Sequence, residues 1–168
     1  MDVAMRFCRY ILILALAAMA LYSCSTGECL ENQSAIPRAG FYSSSTKKQV
    51  SLDSVSIYAV GVPGDSMMVR VGRSVSQVYM PLAMTSDVTR YVLHYDVKEL
   101  SDERLNDTLT IRYSRVPYFE SSECGAMYYY DVLGYGMTTH LVDSVSIITD
   151  RFTNVDIETI RIYMRTSE

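Results

Sequence analysis

Tryptophan is absent from this chain of 168 residues, and histidine occurs only twice, at His94 and His140. The sequence also lacks His-Glu-x-x-His, Cys-x-x-Cys, Gly-x-Ser-x-Gly and any phosphate-binding glycine-rich loop. A metal site that used both histidines would need a third ligand, and no local spacing supplies one. The sequence therefore predicts no catalytic residues, no metal and no cofactor.

An excess of positive charge is missing as well. Lysine and arginine total 15 residues against 19 aspartates and glutamates, which gives a formal net charge of −4. Nucleic-acid binding requires a basic face, because the phosphate backbone dominates the affinity. Nucleic acid is therefore not expected among the partners.

The longest apolar run lies at the N-terminus. It covers residues 10–22, follows Arg6 and Arg9, and leads into Ser23-Cys24. A basic end, a short apolar core and small residues are typical of a secretory signal. This ending resembles a bacterial lipoprotein signal, in which the cysteine is lipidated. We therefore expect residues 1–23 to be removed and Cys24 to carry the lipid.

A transmembrane anchor is the alternative for the same stretch. A spanning helix needs about 20 apolar residues, and residues 10–22 fall short of that length. The length and the flanking residues favour the cleaved signal, so the expected membrane contact is the lipid on Cys24.

Two cysteines remain after Cys8 leaves with the signal and Cys24 is lipidated. Cys29 and Cys124 form an even pair in an oxidising compartment, which favours a disulfide. In the chain-entropy model such a long closed loop stabilises by about 4–5 kcal/mol. The alternative is a reactive Cys124, although no histidine lies nearby in sequence to activate it.

The rest of the chain shows the period-2 alternation of half-buried strands. We expect a polar tether over residues 24–40 and a single domain over residues 41–168. Charged residues 98–106 predict a loop with one helical turn. Apolar positions alternate in the predicted strands at Val55, Ile57 and Ala59; Met67, Val69 and Val71; Val78, Met80 and Leu82; Tyr91, Leu93 and Tyr95; Leu109, Ile111 and Tyr113; Val145 and Ile147; and Ile160, Ile162 and Met164. Met127 to Val132 predicts an aromatic strand.

Short strands separated by polar turns, without long helices, indicate an all-β domain. We expect an antiparallel β-sandwich, since a domain of this length can bury a core between two sheets. An immunoglobulin-like topology is the default expectation, although the Cys…Trp…Cys pattern is missing.

The densest aromatic feature covers residues 116–131, which hold four tyrosines and a phenylalanine. These rings exceed what one buried strand face can hold, so one set is expected in the core and the other towards solvent or a partner. We assign Tyr118, Tyr128 and Tyr130 to a partner surface. The alternative is that the rings cover the sheet against the N-terminal tether.

Several of these segments together resemble a family of small lipoproteins from Bacteroidota whose domain has no known function. The resemblance rests on the lipidation motif, Cys29, Ile36-Pro37-Arg38-Ala39-Gly40-Phe41-Tyr42, Pro117-Tyr118-Phe119 and Glu123-Cys124-Gly125-Ala126-Met127-Tyr128. It implies residence in the cell envelope and supports Cys29 and Cys124 as a structural pair. It supplies no catalytic residue.

The same lineage implies two further features. In these bacteria, surface-exposed lipoproteins carry an acidic cluster directly after the lipidated cysteine, whereas residues 25–28 of this chain contain a single acidic residue, Glu28. We therefore expect an outer-membrane protein that faces the periplasm, with surface display as the alternative. These bacteria also O-glycosylate Asp-Ser/Thr-apolar triplets, and the chain has four candidate acceptors: Ser54, Ser66, Thr108 and Ser144.

The sequence thus favours a lipid-anchored, non-catalytic module that binds or scaffolds another envelope protein through an edge strand or the tyrosine-rich surface. One alternative is a small periplasmic enzyme, which would need His94 or His140 in a pocket with carboxylates. The other is an inhibitor of a secreted hydrolase that inserts an exposed loop at residues 115–125.

Overall fold

The structure, a computed structural model, describes residues 35–61, 67–69, 74–121 and 125–165. Within these ranges the chain forms ten β-strands and one 3-10 turn. The strands are β1 (Arg38–Ser43), β2 (Val55–Val60), β3 (Met67–Val69), β4 (Gln77–Tyr79), β5 (Val88–Tyr95), β6 (Asp107–Ser121), β7 (Gly125–Met137), β8 (Val142–Ile147), β9 (Arg151–Phe152) and β10 (Glu158–Met164). The prediction of an all-β domain is confirmed.

The strands form two sheets that pack against each other. The smaller sheet has the order β4-β1-β10-β8, and the larger has the order β3-β2-β5-β6-β7-β9. Neighbouring strands are antiparallel except β1 and β10, which run parallel. The predicted antiparallel β-sandwich is therefore confirmed, with one parallel pair between the first and last of the ten strands.

The core lies between the sheets and follows the alternation in the sequence, because every second side chain of a strand points to the same face. The predicted inward positions of β5, β6 and β10 are all buried: Tyr91, Leu93, Tyr95, Leu109, Ile111, Tyr113, Ile160, Ile162 and Met164. Each fully buried aliphatic side chain contributes about 1.5–3 kcal/mol through the hydrophobic effect. These strands therefore supply much of the core.

Strand β1 begins inside the segment predicted to be a tether. The composition of residues 24–40 indicates a polar linker, yet Arg38–Gly40 already pair with β10 and β4. Ala35 and Ala39 are buried, and the Ala35 N–H donates to the Tyr128 carbonyl at 3.1 Å. The predicted domain start at residue 41 is thus too late, because small buried residues leave no apolar stripe in the sequence.

The charged segment after β5 forms a loop with a 3-10 turn at Glu103–Leu105, as predicted. Asp102 caps this turn by accepting a hydrogen bond from the Arg104 N–H at 2.9 Å. The cap satisfies a backbone donor at the start of the turn, and the chain then enters β6.

A buried carboxylate fixes the crossover from the larger sheet to the smaller one. Asp107 is fully buried and accepts hydrogen bonds from the hydroxyls of Tyr95 (2.8 Å) and Thr138 (3.1 Å). It also accepts hydrogen bonds from the backbone N–H groups of residues 140–142 at 2.7, 2.8 and 2.8 Å. These five donors offset the cost of burying the charge. They also hold the chain where it leaves β7 and enters β8.

Candidate functional site

The most prominent surface feature is a long hairpin, which we call the arm. It comprises residues 114–121 of β6 and residues 125–131 of β7. Strand β5 pairs with β6 only as far as Arg112, whereas β6 and β7 stay paired up to Ser121 and Gly125. In the described part of the chain, no strand pairs with the other side of β6 along the arm. The arm therefore extends beyond the last residue at which β5 supports the sheet.

Aromatic rings lie exposed along the arm. Phe119 is 66% exposed and Tyr118 is 37% exposed. The ring of Tyr118 stacks on that of Tyr129, with centroids 4.8 Å apart and planes inclined by 22°. The Tyr129 hydroxyl in turn donates to the Asn154 side chain at 3.3 Å. This stacking holds the Tyr118 ring in one orientation, although Tyr118 is partly exposed.

The prediction that Tyr130 belongs to a partner surface is wrong. Tyr130 is 1% exposed and packs edge-to-face on the buried Tyr113, with ring centroids 5.1 Å apart. Tyr128 shares the face of Tyr130 and packs, partly buried, against the core. The period-2 pattern separates the two faces correctly, but it does not reveal which face the core covers. Tyr118 is thus the exposed member of the predicted set.

Phe119 was not among the predicted site residues, although its signal is present in the sequence. Pro117 precedes it by two positions, and proline in a strand is confined to edges, the first residue or bulges. A large apolar residue beside such a proline therefore lies on an edge strand with little cover. That rule would have separated Phe119 from the core aromatics.

Pro117 also determines how the arm can bind. It pairs with Tyr128 but has no N–H to donate, so its backbone faces the open edge of β6. The hydrogen bonding of Tyr128, which lies opposite Pro117, supports this orientation. Its carbonyl points away from β6 and accepts a hydrogen bond from the Ala35 N–H. A missing donor on the open edge disfavours the addition of another strand there. The side-chain face of the arm is thus better suited to contact than its backbone edge.

A groove of 530 Å³ lies at the base of the arm. Its lining residues are Asp87, Tyr113, Ser114, Arg115, Tyr128 and Leu133. The one cation among these described residues is paired, since Arg115 Nε lies 3.2 Å from an Asp87 carboxylate oxygen. Leu133 is 68% exposed at the rim. The groove therefore combines two tyrosines and a leucine with an ion pair where the arm joins the body of the domain.

A second polar cluster covers the outer face of the smaller sheet and centres on Glu158. Its carboxylate accepts hydrogen bonds from Tyr42 (2.7 and 2.9 Å), Arg161 (2.9 Å) and Gln77 (3.0 Å). Partial burial raises the pKa of Glu158, but these donors outweigh that effect and hold the pKa below its usual value. A Cβ on Gly40 would lie 2.1 Å from a Glu158 oxygen. Glycine at position 40 therefore makes room for the carboxylate.

This cluster has no sequence signal, because Tyr42 and Glu158 are 116 residues apart and meet only through the parallel pairing of β1 and β10. Arg161 lies over the ring of Tyr42, with its guanidinium carbon 5.5 Å from the centroid. Every oxygen of Glu158 already has a donor within the described structure. The cluster thus stabilises the sheet face and is not an open binding site.

The two histidines do not form a shared metal site in the structure. His94 Nδ1 lies 2.9 Å from the Asn106 side-chain oxygen, and its Nε2 lies 3.6 Å from Asp96. His140 is exposed, and its backbone N–H is bound by Asp107. Within the described residues, no group of three His, Cys, Asp or Glu side chains is arranged to hold a metal ion.

The predicted modification sites differ in accessibility. Ser144 and Asp143 are exposed on β8, and Ser54 is partly exposed before β2. Thr108 is partly exposed, but its triplet neighbours Asp107 and Leu109 are fully buried, which limits access of a modifying enzyme to the triplet. Glycosylation stays a prediction, with Ser144 the best placed. The remaining calls, Ser66, Cys24, Cys29 and Cys124, lie outside the described residues, as does the signal at residues 1–23.

A family of unknown function, DUF6452, matches residues 54–164. The chain belongs to this family. No curated protein and no solved structure is significantly similar to the chain. The DUF6452 match runs from the start of β2 to the end of β10 and so includes the arm and Asp107. Strand β1 precedes the match, although it lies between β4 and β10 in the smaller sheet.

None of the described residues forms a helix that is both long and apolar enough to cross a bilayer.

Proposed function

We propose that this protein is a lipid-anchored, non-catalytic module of the bacterial cell envelope that binds another envelope protein. Cys24 carries the lipid, and the domain faces the periplasm from the outer membrane. The pattern of residues 1–24 supports the anchor, because a basic end, a short apolar core and a Ser-Cys ending are typical of an exported lipoprotein.

The arm is the binding surface in this proposal. The observation that carries it is the exposure of Phe119 and Tyr118 on a hairpin that extends past β5. Exposed aromatic side chains are costly in water and are enriched among the residues that dominate protein interfaces. The stacking of Tyr118 on Tyr129 reduces the side-chain freedom that is lost on binding.

The partner contacts the side chains of the arm and not its backbone edge. Pro117 removes the donor that an added strand would need at the centre of that edge. The groove at the base of the arm offers 530 Å³ beside the same surface. A partner side chain can enter this groove while the rings of the arm cover a wider area.

Site-specific photocrosslinking in cells tests the binding surface. A photoreactive phenylalanine analogue replaces Phe119, and a matched variant carries it at Ile148, which is also exposed and lies outside the arm. We expect a discrete crosslinked product from position 119 and none from position 148. Equal products from both positions, or none from 119, would contradict the assignment of the arm.

A matched pair of serine variants measures the contribution of the exposed ring. Phe119→Ser removes the aromatic side chain of the arm, and Ile148→Ser removes an exposed apolar side chain elsewhere. The readout is affinity purification, without the photoreactive analogue, of the partner that the crosslink identifies. We expect Phe119→Ser to reduce its recovery by about tenfold or more, as for an interface residue worth over 1.4 kcal/mol. Ile148→Ser should recover as much partner as the unaltered protein.

The anchor is tested separately by metabolic labelling with an alkyne fatty acid and by the intact mass of the mature protein. We expect labelling that is lost in Cys24→Ala and kept in Cys8→Ala, and a mature chain that begins at residue 24. A protein that carries no fatty-acid label and retains residues 1–23 would instead support a transmembrane anchor. This experiment is independent of the arm, so either half of the proposal can fail alone.

A further inference from the structure

Two arginines on the outer face of the larger sheet lack the partners that the other arginines have. Six of the eight arginines in the described ranges form ion pairs with carboxylates: Arg38, Arg104, Arg115, Arg151, Arg161 and Arg165. Arg90 and Arg112 have no ion pair and no side-chain hydrogen bond with any described residue. Both are exposed.

The register of β5 and β6 brings these two cations together. Val88 lies opposite Arg112, and Arg90 lies opposite Thr110. Residues directly opposite each other, and residues two positions apart on a strand, share one face of the sheet. Arg90 and Arg112 are therefore diagonal neighbours on the same face, where their like charges repel each other.

The neighbouring strand leaves open space beside them. Gly134 lies opposite Arg112, and Gly136 lies opposite Thr110. A Cβ on Gly134 would lie 3.0 Å from Arg112 Nη2, so the guanidinium reaches over β7 at this glycine. A Cβ on Gly136 would meet no atom within 4 Å. The two glycines thus place no side chain opposite Arg112 and Thr110.

A groove of 320 Å³ occupies this place. Its described lining residues are Val88, Arg90, Thr110, Arg112, Tyr135 and Gly136. These described residues include two cations and the hydroxyls of Thr110 and Tyr135, and none of them is a carboxylate. It differs from the groove at the base of the arm, where Asp87 neutralises Arg115.

We propose that this groove is a binding site for an oxyanion, namely a carboxylate, phosphate or sulfate group of a ligand. Guanidinium groups present paired N–H donors that match the oxygens of such groups, and two converging arginines bind them more strongly than one. The Thr110 hydroxyl supplies a further donor on the same face. A bound oxyanion also removes the repulsion between Arg90 and Arg112.

The side-chain Nε–H signals of the ¹⁵N-labelled purified protein report directly on this site. Inorganic phosphate and sodium glucuronate are titrated separately, with sodium chloride as the control at equal ionic strength. We expect saturable shifts of the Arg90 and Arg112 signals with at least one of the two probes and not with chloride. Tighter binding of phosphate indicates a phosphoryl ligand, and tighter binding of glucuronate indicates a sugar or peptide carboxylate.

Three variants and a control complete the test. Arg90→Gln and Arg112→Gln should each weaken binding by about tenfold, the effect of losing a charge-assisted hydrogen-bond pair. Gly136→Val keeps both cations but fills the groove, so it should also abolish saturable binding. Arg104→Gln removes an equal charge from an ion-paired, remote arginine and should leave the affinity unchanged.

Thermal unfolding confirms that each variant is folded. Shifts that chloride reproduces, or that persist in Gly136→Val, would overturn the proposal, because they would reflect general screening of charge. Equal weakening in Arg104→Gln would overturn it for the same reason.

Discussion

The body of the domain and the arm use the same residue type in opposite ways. In the body, Tyr91 and Tyr113 are fully buried, and their hydroxyls donate to the carbonyls of Pro81 (2.6 Å) and Ala83 (2.9 Å). Burial raises the pKa of both tyrosines. In the arm, the Tyr118 ring is partly exposed, and its hydroxyl has no partner among the described residues.

This difference separates stability from recognition. A buried tyrosine fills core volume and satisfies a buried carbonyl, so its loss destabilises the fold. An exposed tyrosine on the arm contributes little to the fold, and its apolar surface is available to a partner. Changes in the body should therefore alter the free energy of unfolding, whereas changes at the exposed positions of the arm should alter binding alone.

The largest effect in the body is expected from Asp107→Ala. The substitution leaves five donors without their acceptor: the Tyr95 hydroxyl and the Val142 N–H are buried, and the other three are partly buried. An unsatisfied buried donor costs about 1–3 kcal/mol. Water entering the cavity offsets part of this cost, so we expect a loss of at least about 3 kcal/mol in urea unfolding. The control is Asp150→Ala, an exposed aspartate whose loss should change stability by less than about 0.5 kcal/mol.

Asp107→Asn separates the contribution of the hydrogen bonds to stability from that of the side-chain volume. The amide keeps the size of the side chain but replaces one acceptor oxygen with an NH₂ group, which would face N–H donors. We expect a stability between those of the unaltered protein and Asp107→Ala. Equal stability of the alanine and asparagine variants would show that the network is worth less than its geometry indicates.

The same substitution in the two regions gives the next largest effect. Tyr113→Phe removes a hydroxyl that donates to the Ala83 carbonyl and also lies 2.7 Å from the Thr89 hydroxyl. We expect a loss of about 1–2 kcal/mol in urea unfolding. Tyr118→Phe, in the arm, should change stability by less than about 0.5 kcal/mol. Similar losses in both variants would break the distinction between body and arm.

How much of the fold and of the candidate site could be predicted from the sequence depends on how far apart in the chain the interacting residues lie. The alternation of Leu109, Ile111 and Tyr113 predicted both the strand and its buried face, because side-chain direction is local. Asp107 gave no such signal, since its donors come from β5, from the loop after β7 and from the first residue of β8. The partners of Glu158 are likewise brought together only by the sheet order.

Prediction of the exposed side chains of the arm from the sequence is limited for the same reason. The sequence located the aromatic segment and separated its two faces. Whether Tyr118 or Tyr130 is buried depends on where β5 ends and on what packs against β7, and neither fact is local. The two unpaired arginines could be recognised only once the partners of the other six were known.

A smaller effect in the body concerns pH. The pKa of Glu158 in the folded protein lies below the unfolded value of about 4.3. Its contribution to stability is therefore fully present above that pH and is lost as the pH falls through the folded pKa. We expect Glu158→Gln to be less stable by up to about 1 kcal/mol at neutral pH, and the difference to shrink below about pH 4.

Urea unfolding of both proteins between pH 3 and 7 measures this difference. Glu99→Gln, at an exposed position outside the cluster, is the matched control and should stay close to the unaltered protein throughout. A difference for Glu158→Gln that grows on acidification would contradict the assigned direction of the pKa shift.

The smallest effect on stability is expected at Pro117, which we expect to protect the open edge of β6 from pairing with another strand. Pro117→Thr restores an N–H on the open edge of β6, with a residue that favours strands. The unfolded chain gains freedom when proline is lost, so the two effects oppose each other and the net change should stay within about 0.5 kcal/mol.

Association of Pro117→Thr should change instead, because a complete row of edge donors and acceptors allows two arms to pair. We expect sedimentation velocity to show concentration-dependent dimers of Pro117→Thr. Pro81→Thr introduces the same change outside any strand and should remain as monomeric as the unaltered protein. If Pro117→Thr also stays monomeric, the twist of the arm or its side chains protect the edge, and Pro117 does not.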